Sequence, residues 1–319
     1  MDKYGLIFKG ISDGGRTFHV LNNTKENRTV IMTVYNSYFG YPEERWETTY
    51  HSGVQYWNYV IHNSNHRYVE FVDKNTSELV GLFGLEGEVN FEDYDYNSYA
   101  KKIFNIVPDN NKGDILSVFN TIVCNKTYFN EWVDVEEGDV VVDIGFNYGL
   151  FSVASRSKNA QRIVGFEPNS KLFKTFNENF VGDRVELYNY AVSNKDGEVT
   201  FFETVNSVMS SIKEELYKEH RTNSINVKCI NINTLLESYN LKKIDYLKVD
   251  CEGSEFDIFN EISDNYLRES IKKIAIEFHD YFESINVQNL IKKLENAGFD
   301  TFNNYEVGSP LGMIYAKKK

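Results

Sequence analysis

The sharpest hydrophobic pattern in the chain lies at residues 139–149, where Val140, Val141, Val142 and Ile144 form a short β-branched run holding one charge, Asp143. A run apolar on both faces and closed by glycine predicts a strand of a parallel sheet covered by helices. Gly145 and Gly149 then allow a tight turn, and Leu150–Ser155 reads as a helix whose first backbone N–H groups face the cleft. The same patterning predicts further strands at Arg162–Phe166, Glu186–Ala191, Glu198–Glu203, Asn226–Asn231, Ile244–Val249, Lys272–Glu277, Phe299–Tyr305 and Gly312–Lys317. Helices are predicted over 169–180, Thr234–Tyr239, with Asn233 as its cap, and Val287–Ala297, stopped by Gly298. Strands alternating with helices in this way make an α/β fold. In such sheets the fourth strand lies beside the first, so Asp250 opens on the same cleft as Gly145.

Residues 1–88 pattern differently. Short aromatic or β-branched segments at Tyr4–Lys9, Thr17–Leu21, Thr29–Tyr35, Arg45–Tyr50, Val54–Ile61, Arg67–Val72 and Glu78–Leu82 alternate with breakers such as Asp13-Gly14-Gly15. Seven strands so spaced predict an all-β, sandwich-like accessory domain. Its aromatics, Tyr38, Phe39, Tyr41, Trp46 and Trp57 among them, suit either a core or a sugar-stacking face, and the core is the better reading. His51, His62 and His66 lack metal-ligand spacing. The acidic Glu86–Asp95 breaks the strand pattern, so residues 89–114 form a linker and lead-in helix before a third region, 115–319.

Glu167 and Pro168 end the second predicted strand about twenty residues after the glycine turn, the position from which a carboxylate accepts hydrogen bonds from both hydroxyls of a ribose. The bland alternative has Asp143 capping the turn and Glu167 capping the next helix. The run Asp143-x-Gly145-x-Asn147-x-Gly149 puts an acid before the first glycine, where it would repel a pyrophosphate, so S-adenosylmethionine fits better than NAD.

Val-Val-Asp-Ile-Gly-Phe-Asn-Tyr-Gly at 141–149, Gly-Phe-Glu-Pro-Asn at 165–169 and Leu-Lys-Val-Asp-Cys-Glu-Gly-Ser-Glu at 247–255 together resemble the FkbM family of S-adenosylmethionine-dependent methyltransferases, over roughly residues 115–316. The resemblance implies a Rossmann-like class I methyltransferase fold with a seven-stranded sheet, and O-methylation of a hydroxyl, often on a sugar or polyketide. It implies cofactor contacts from Asp143, Gly145, Asn147, Gly149, Glu167, Pro168 and Asp250, with Asn189 and Ala191 bordering the adenine. Tyr128 and Phe129 stand where the family often closes aromatics over the cofactor, and Met209-Ser210-Ser211 resembles its small polar turn near the active site. Phe146 and Tyr148 replace small or aliphatic residues, and Cys251 an aliphatic one.

Charge and composition narrow the partners. A net charge of −13 over 319 residues argues against nucleic acid, which needs clustered Lys and Arg. No run of about 18 apolar residues exists to span a bilayer, and Met1–Gly10 is no signal peptide, so no membrane insertion and a cytoplasmic location are expected. Three cysteines, Cys124, Cys229 and Cys251, cannot all pair, which suits a reducing compartment. The expected acceptor is a saccharide or another hydroxyl-bearing molecule, and a homo-oligomer or a glycosyltransferase partner fits the accessory domain.

Methyl transfer to a hydroxyl needs a base. His279, after the fifth strand, is the first candidate, because a neutral imidazole titrates near working pH; Asp250 and Glu277 compete. Asp250, Glu252, Glu255 and Glu277 could instead hold Mg²⁺ through oxygen ligands, an alternative not favoured against helix capping beside Gly253. Two other classes stand beside the enzyme reading: an inactive methyltransferase-fold scaffold or glycan-binding protein, and an NAD-type oxidoreductase, disfavoured by the glycine pattern.

Overall fold

The computed structural model describes residues 126–180, 183–280, 285–304 and 310–319, seven strands within residues 6–84 and scattered positions from 102 to 122. The chain divides into two compact units, Met1–Thr127 and Tyr128–Lys319.

In the first unit β1 (Leu6–Ser12), β2 (Thr17–Asn22) and β5 (Gln55–Tyr59) form an antiparallel sheet in the order β1-β2-β5. A second antiparallel sheet runs β4-β3-β6-β7, from β3 (Arg28–Asn36), β4 (Pro42–Tyr50), β6 (His66–Asp73) and β7 (Leu79–Gly84). Tyr38, Phe39, Tyr41, His51, His62 and the linker Glu86–Asp95 lie outside the described residues. Of the lead-in helix, Lys102, Ile103 and Ile106 are described, and all are helical.

The second unit is built on one seven-stranded sheet. Its strands are β8 (Val140–Ile144), β9 (Arg162–Phe166), β10 (Val185–Tyr188), β14 (Ile244–Val249), β15 (Ile271–His279), β16 (Phe299–Asn303) and β17 (Leu311–Lys318). The order is β10-β9-β8-β14-β15-β17-β16, with β17 antiparallel to both neighbours and the other pairs parallel. This is the Rossmann-like, seven-stranded arrangement that the family resemblance implies. Val249 and Phe166 pair with the same residue, Ile144, so three strands end level with one another.

Valines and isoleucines make these central strands because both faces are covered. Val141, Val142, Val164, Leu247, Val249, Ile274 and Ile276 are all essentially inaccessible, and each such side chain contributes roughly 1.5–3 kcal/mol. The helices that cover them are α1 (Leu150–Ser157), α2 (Ser170–Asn179), α3 (Ile232–Ser238), α4 (Glu255–Glu261), α5 (Asp264–Ser270) and α6 (Ile285–Asn296). Among the described residues, no helix is long and apolar enough to cross a membrane.

Two local expectations are corrected. The third strand stops at Tyr188 rather than running to residue 191, because the Asn189 amide turns aside to donate to the carbonyls of Glu167 and Pro168. The chain then enters a separate sheet, β11-β13-β12, made of β11 (Ala191–Ser193), β12 (Gly197–Thr204) and β13 (Arg221–Asn231). Helix α3 is capped by Asn231, whose side chain accepts from the Asn233 N–H. Asn231 keeps the extended backbone of β13, as an N-cap must, whereas Asn233 already lies inside the helix.

Candidate active site

The glycine turn is fixed by backbone proximity. Gly145 has φ +83°, and a Cβ there would lie 1.6 Å from the Asp250 carbonyl oxygen, so only glycine lets the ends of β8 and β14 touch. The Asp250 N–H donates to the Ile144 carbonyl at 3.0 Å, and the Gly145 and Phe146 N–H groups to that of Phe166. Asn147 continues the turn in the left-handed region, its side chain accepting from the Tyr148 N–H. The Phe146 ring fills the space left by the missing side chains of Gly149 and Gly165 and meets Phe176 edge-on. This bulky departure from the family pattern is thus spent in the core.

Asp143 is fully buried beneath the turn. Its Oδ2 accepts from Ser152 Oγ at 2.7 Å, and Oδ1 faces Lys248 Nζ at 3.2 Å. Lys248 also donates to the Gly145 carbonyl at 2.6 Å and lies 3.5 Å from Asp250 Oδ2. Burial opposes charge on both partners. It wins at Asp143, whose pKa is raised despite Lys248; at Lys248 the attraction of Asp143 and Asp250 wins and its pKa rises too. The ion pair therefore fastens the turn from below.

Glu167 reaches the turn from β9. Oε2 accepts from the Asn147 N–H at 2.7 Å and Oε1 from the Asn169 N–H at 2.8 Å, while burial raises its pKa to about 7 in spite of these bonds. Capping of α2 falls to Asn169, which accepts from the Lys171 and Leu172 N–H groups. Pro168 and Asn189 stand beside Glu167. Ala191 does not: it is buried opposite Cys229, among Val199, Phe201 and Val227.

Beyond β14 and β15 stands a cluster of acids. Tyr128 Oη lies 2.9 Å from Asp250 Oδ2 and 2.7 Å from Glu277 Oε2, with the phenol buried and its ring beside Phe151 and Lys248. Tyr128 thus bridges the two acids, and Phe129 stacks on Phe151. Glu252, left-handed at φ 57°, pairs through Oε2 with His279 Nε2 at 3.1 Å and accepts from the Tyr217 hydroxyl at 2.7 Å. Ser211, from the small polar turn, donates to the Glu252 carbonyl. Glu255 pairs with His279 Nδ1 at 3.2 Å and accepts from the Cys251 and Gly253 N–H groups, so it ties down the turn before α4 and is not that helix's cap.

His279 differs from expectation. Burial disfavours its charge, but Glu252 and Glu255 outweigh burial and hold its pKa well above 6.5. Each ring nitrogen lies within hydrogen-bond distance of a carboxylate, an arrangement that favours the charged ring and occupies the atoms a base would use. Across from it, burial raises Glu252 to about 8 although His279 pulls the other way, and burial with the nearby Asp250 charge raises Glu277. Glu255 is lowered: burial would raise it, but His279 and the Gly253 N–H outweigh that. Asp250, Glu252 and His279 bring one donor atom each within 4.8 Å of one another. That space is spanned by the Glu252–His279 ion pair, and Glu277 and Glu255 turn to Tyr128 and the Gly253 turn.

Lys248 and Tyr217 escaped the sequence reading, and Tyr128 was read for its ring and not for its hydroxyl. Lys248 had a signal, the one cation in a strand whose other residues are apolar or aromatic apart from Asp245. The hydroxyls of Tyr128 and Tyr217 had none, since their partners are 122 and 35 residues away.

The methyltransferase FkbM domain family matches residues 139–301. The chain is 24% identical over 201 residues to the AMB antimetabolite synthetase AmbE of Pseudomonas aeruginosa, covering 51% of this chain and 9% of that protein. It is 27% identical over 164 residues to the hexuronic acid methyltransferase AglP of Haloferax volcanii, covering 50% and 64%. It thus spans less than two thirds of either relative. Among solved structures, Aeropyrum pernix fibrillarin with bound S-adenosyl-L-methionine aligns at a TM-score of 0.35 and 13% identity, over 60% of this chain and 71% of that one.

Proposed function

The chain belongs to the FkbM methyltransferase domain family, and we propose that it is an S-adenosylmethionine-dependent O-methyltransferase acting on a saccharide hydroxyl. The observation that carries this reading is the convergence of the Gly145 turn, Glu167 and Asp250 at the level ends of β8, β9 and β14. The donor set fits the cofactor. Each Glu167 oxygen accepts one backbone N–H and keeps a second lone pair for a ribose hydroxyl. The Gly145–Asn147 backbone lines the cofactor's side of the cleft, and Asn189 holds the Glu167–Pro168 carbonyls in place.

When bound, the cofactor supplies a methyl group on a sulfonium. The chain aligns the acceptor oxygen and takes its proton. Alignment is the larger share, about 7–11 kcal/mol against ~10²–10⁴-fold for a base. With His279 committed to Glu252 and Glu255, Asp250 becomes the base: its side chain is 24% exposed beside the glycine turn. His279 fixes the acids around it. The name of AglP supports a saccharide, a hexuronic acid being the natural first trial. The strands of residues 1–88, as a sandwich-like accessory domain, would present that acceptor or a glycosyltransferase.

The experiment is transfer of labelled methyl from S-adenosylmethionine to hexuronic-acid glycans and neutral sugars, with Asp250→Asn as control. Transfer by the wild-type protein and its loss in the variant support the reading; a folded protein that transfers to none of them removes the saccharide. The full engagement of His279 favours one second reading, a glycan-binding protein of this fold without turnover, for which cofactor binding without transfer would speak.

A further inference from the structure

One phenol proton faces two carboxylates at the centre of the acid cluster. Tyr128 Oη is 2.9 Å from Asp250 Oδ2 and 2.7 Å from Glu277 Oε2, both ordinary hydrogen-bond distances. A tyrosine hydroxyl donates once and accepts through its lone pairs. Were both carboxylates ionised, one contact would set an anionic oxygen against a phenol oxygen with no proton between them, in a site where such a mismatch is costly. Were one carboxyl protonated, it would donate to the phenol oxygen while the phenol donated to the other, and both distances would be hydrogen bonds.

We propose that Asp250, Tyr128 and Glu277 form a proton-sharing unit holding one proton beyond the phenol's own, and that this unit carries the acceptor's proton away from Asp250. The second half rests on the methyl-transfer reading above. The neighbours decide where the extra proton rests. Lys248 Nζ, 3.5 Å from Asp250 Oδ2, sets a cation beside Asp250. Among the described residues Glu277 has no cation so close: Lys248 and His279 act on it from farther off, Asp250 opposes them, and Glu277 itself acts on Tyr315 of β17. Asp143 offsets part of the Lys248 charge from β8, and Glu252 offsets His279. Burial and the Asp250 charge raise the pKa of Glu277, in keeping with a proton resting there.

The steps balance. The acceptor O–H bond breaks as an O–H bond forms on Asp250; the acceptor oxygen's electron pair makes the C–O bond, and the pair of the breaking C–S bond stays on sulfur. Glu277 then releases its proton to solvent. The phenol passes its own proton to Glu277 and takes the one held by Asp250, which restores the resting arrangement. Tyr128 is a positioning and relay residue in this scheme.

The test has one arm independent of turnover. In the full chain at neutral pH, infrared difference spectra of wild type against Glu277→Gln should show a protonated carboxylic acid in the wild type, and Tyr128→Phe, which keeps the ring, should shift its frequency. In the second arm, Tyr128→Phe should lower kcat by about tenfold or more, leave cofactor KM within about twofold, move the acid limb of the pH profile and straighten a curved proton inventory. A carboxyl pair with no acid band, or a Tyr128→Phe protein with wild-type turnover and inventory, overturns the proposal. A wild-type protein that shows the band but transfers no methyl to any acceptor upholds the shared proton and refutes both its catalytic use and the methyl-transfer reading.

Discussion

Lys248 Nζ lies 3.2 Å from Asp143 Oδ1 between two paired strands, with side chains 4% and 0% exposed. Neither charge has water to fall back on, so each is the condition for burying the other. Lys248→Met should therefore cost about 3–5 kcal/mol, and the double variant Asp143→Asn/Lys248→Met should recover part of that by removing the orphaned charge. Urea unfolding of both single variants, the double variant and wild type checks this; strictly additive losses would show that the pair is not coupled.

Gly145 meets Asp250 from the opposite direction, backbone to backbone. A methyl group 1.6 Å from the Asp250 carbonyl oxygen, at φ +83°, forces β8 away from β14. Gly145→Ala should lose about 4 kcal/mol or more, the exceptional end for one substitution, and cofactor binding with it. Denaturant unfolding with parallel cofactor titration reads both. Gly138→Ala, also at positive φ but with nothing within 4 Å of the added methyl, serves as control and should cost far less.

Much of this architecture is legible in the chain. The β-branched run at 140–144, the glycines that close it and the acid ending the second strand are local signals, each set by the residue's own backbone or burial needs. The edges of β9 and β14 agree with the pattern to the residue. What failed depends on partners distant in sequence. The third strand ends early because the Asn189 amide finds two carbonyls about twenty residues back. His279 was read from its intrinsic titration range, but Glu252 and Glu255 push that range upward, and no spacing rule announces that both would point at one ring.

Glu167 makes cofactor affinity pH-dependent. Burial raises its pKa to about 7, and the ionised form offers more acceptor positions to a ribose diol, so affinity should strengthen as pH rises through that value. Glu167→Ala should remove the dependence and weaken binding by a few kcal/mol, since each of its two ribose bonds is charge-assisted and worth about 1.5–3 kcal/mol. Calorimetry on either side of neutrality decides it; a flat wild-type profile would exclude the role.

The sign for His279 runs as for any base whose folded pKa is raised. Its stabilising contribution is complete below its ordinary 6.5 and is lost as pH rises through the higher folded value. His279→Gln should thus be less stable than wild type at neutral pH, with the gap narrowing in the alkaline range. Thermal unfolding against pH measures the gap, and a constant difference would mean that His279 is not charged.

The central claim is that the cleft formed by Gly145, Glu167 and Asp250 holds S-adenosylmethionine. Its most direct test is calorimetric titration of the purified chain with S-adenosylmethionine and S-adenosylhomocysteine, with NAD as control and with and without Mg²⁺. The account predicts saturable one-to-one binding of both, none of NAD, no dependence on Mg²⁺, and loss of binding in Gly145→Ala. A folded protein that binds neither, or that binds NAD instead, would contradict it.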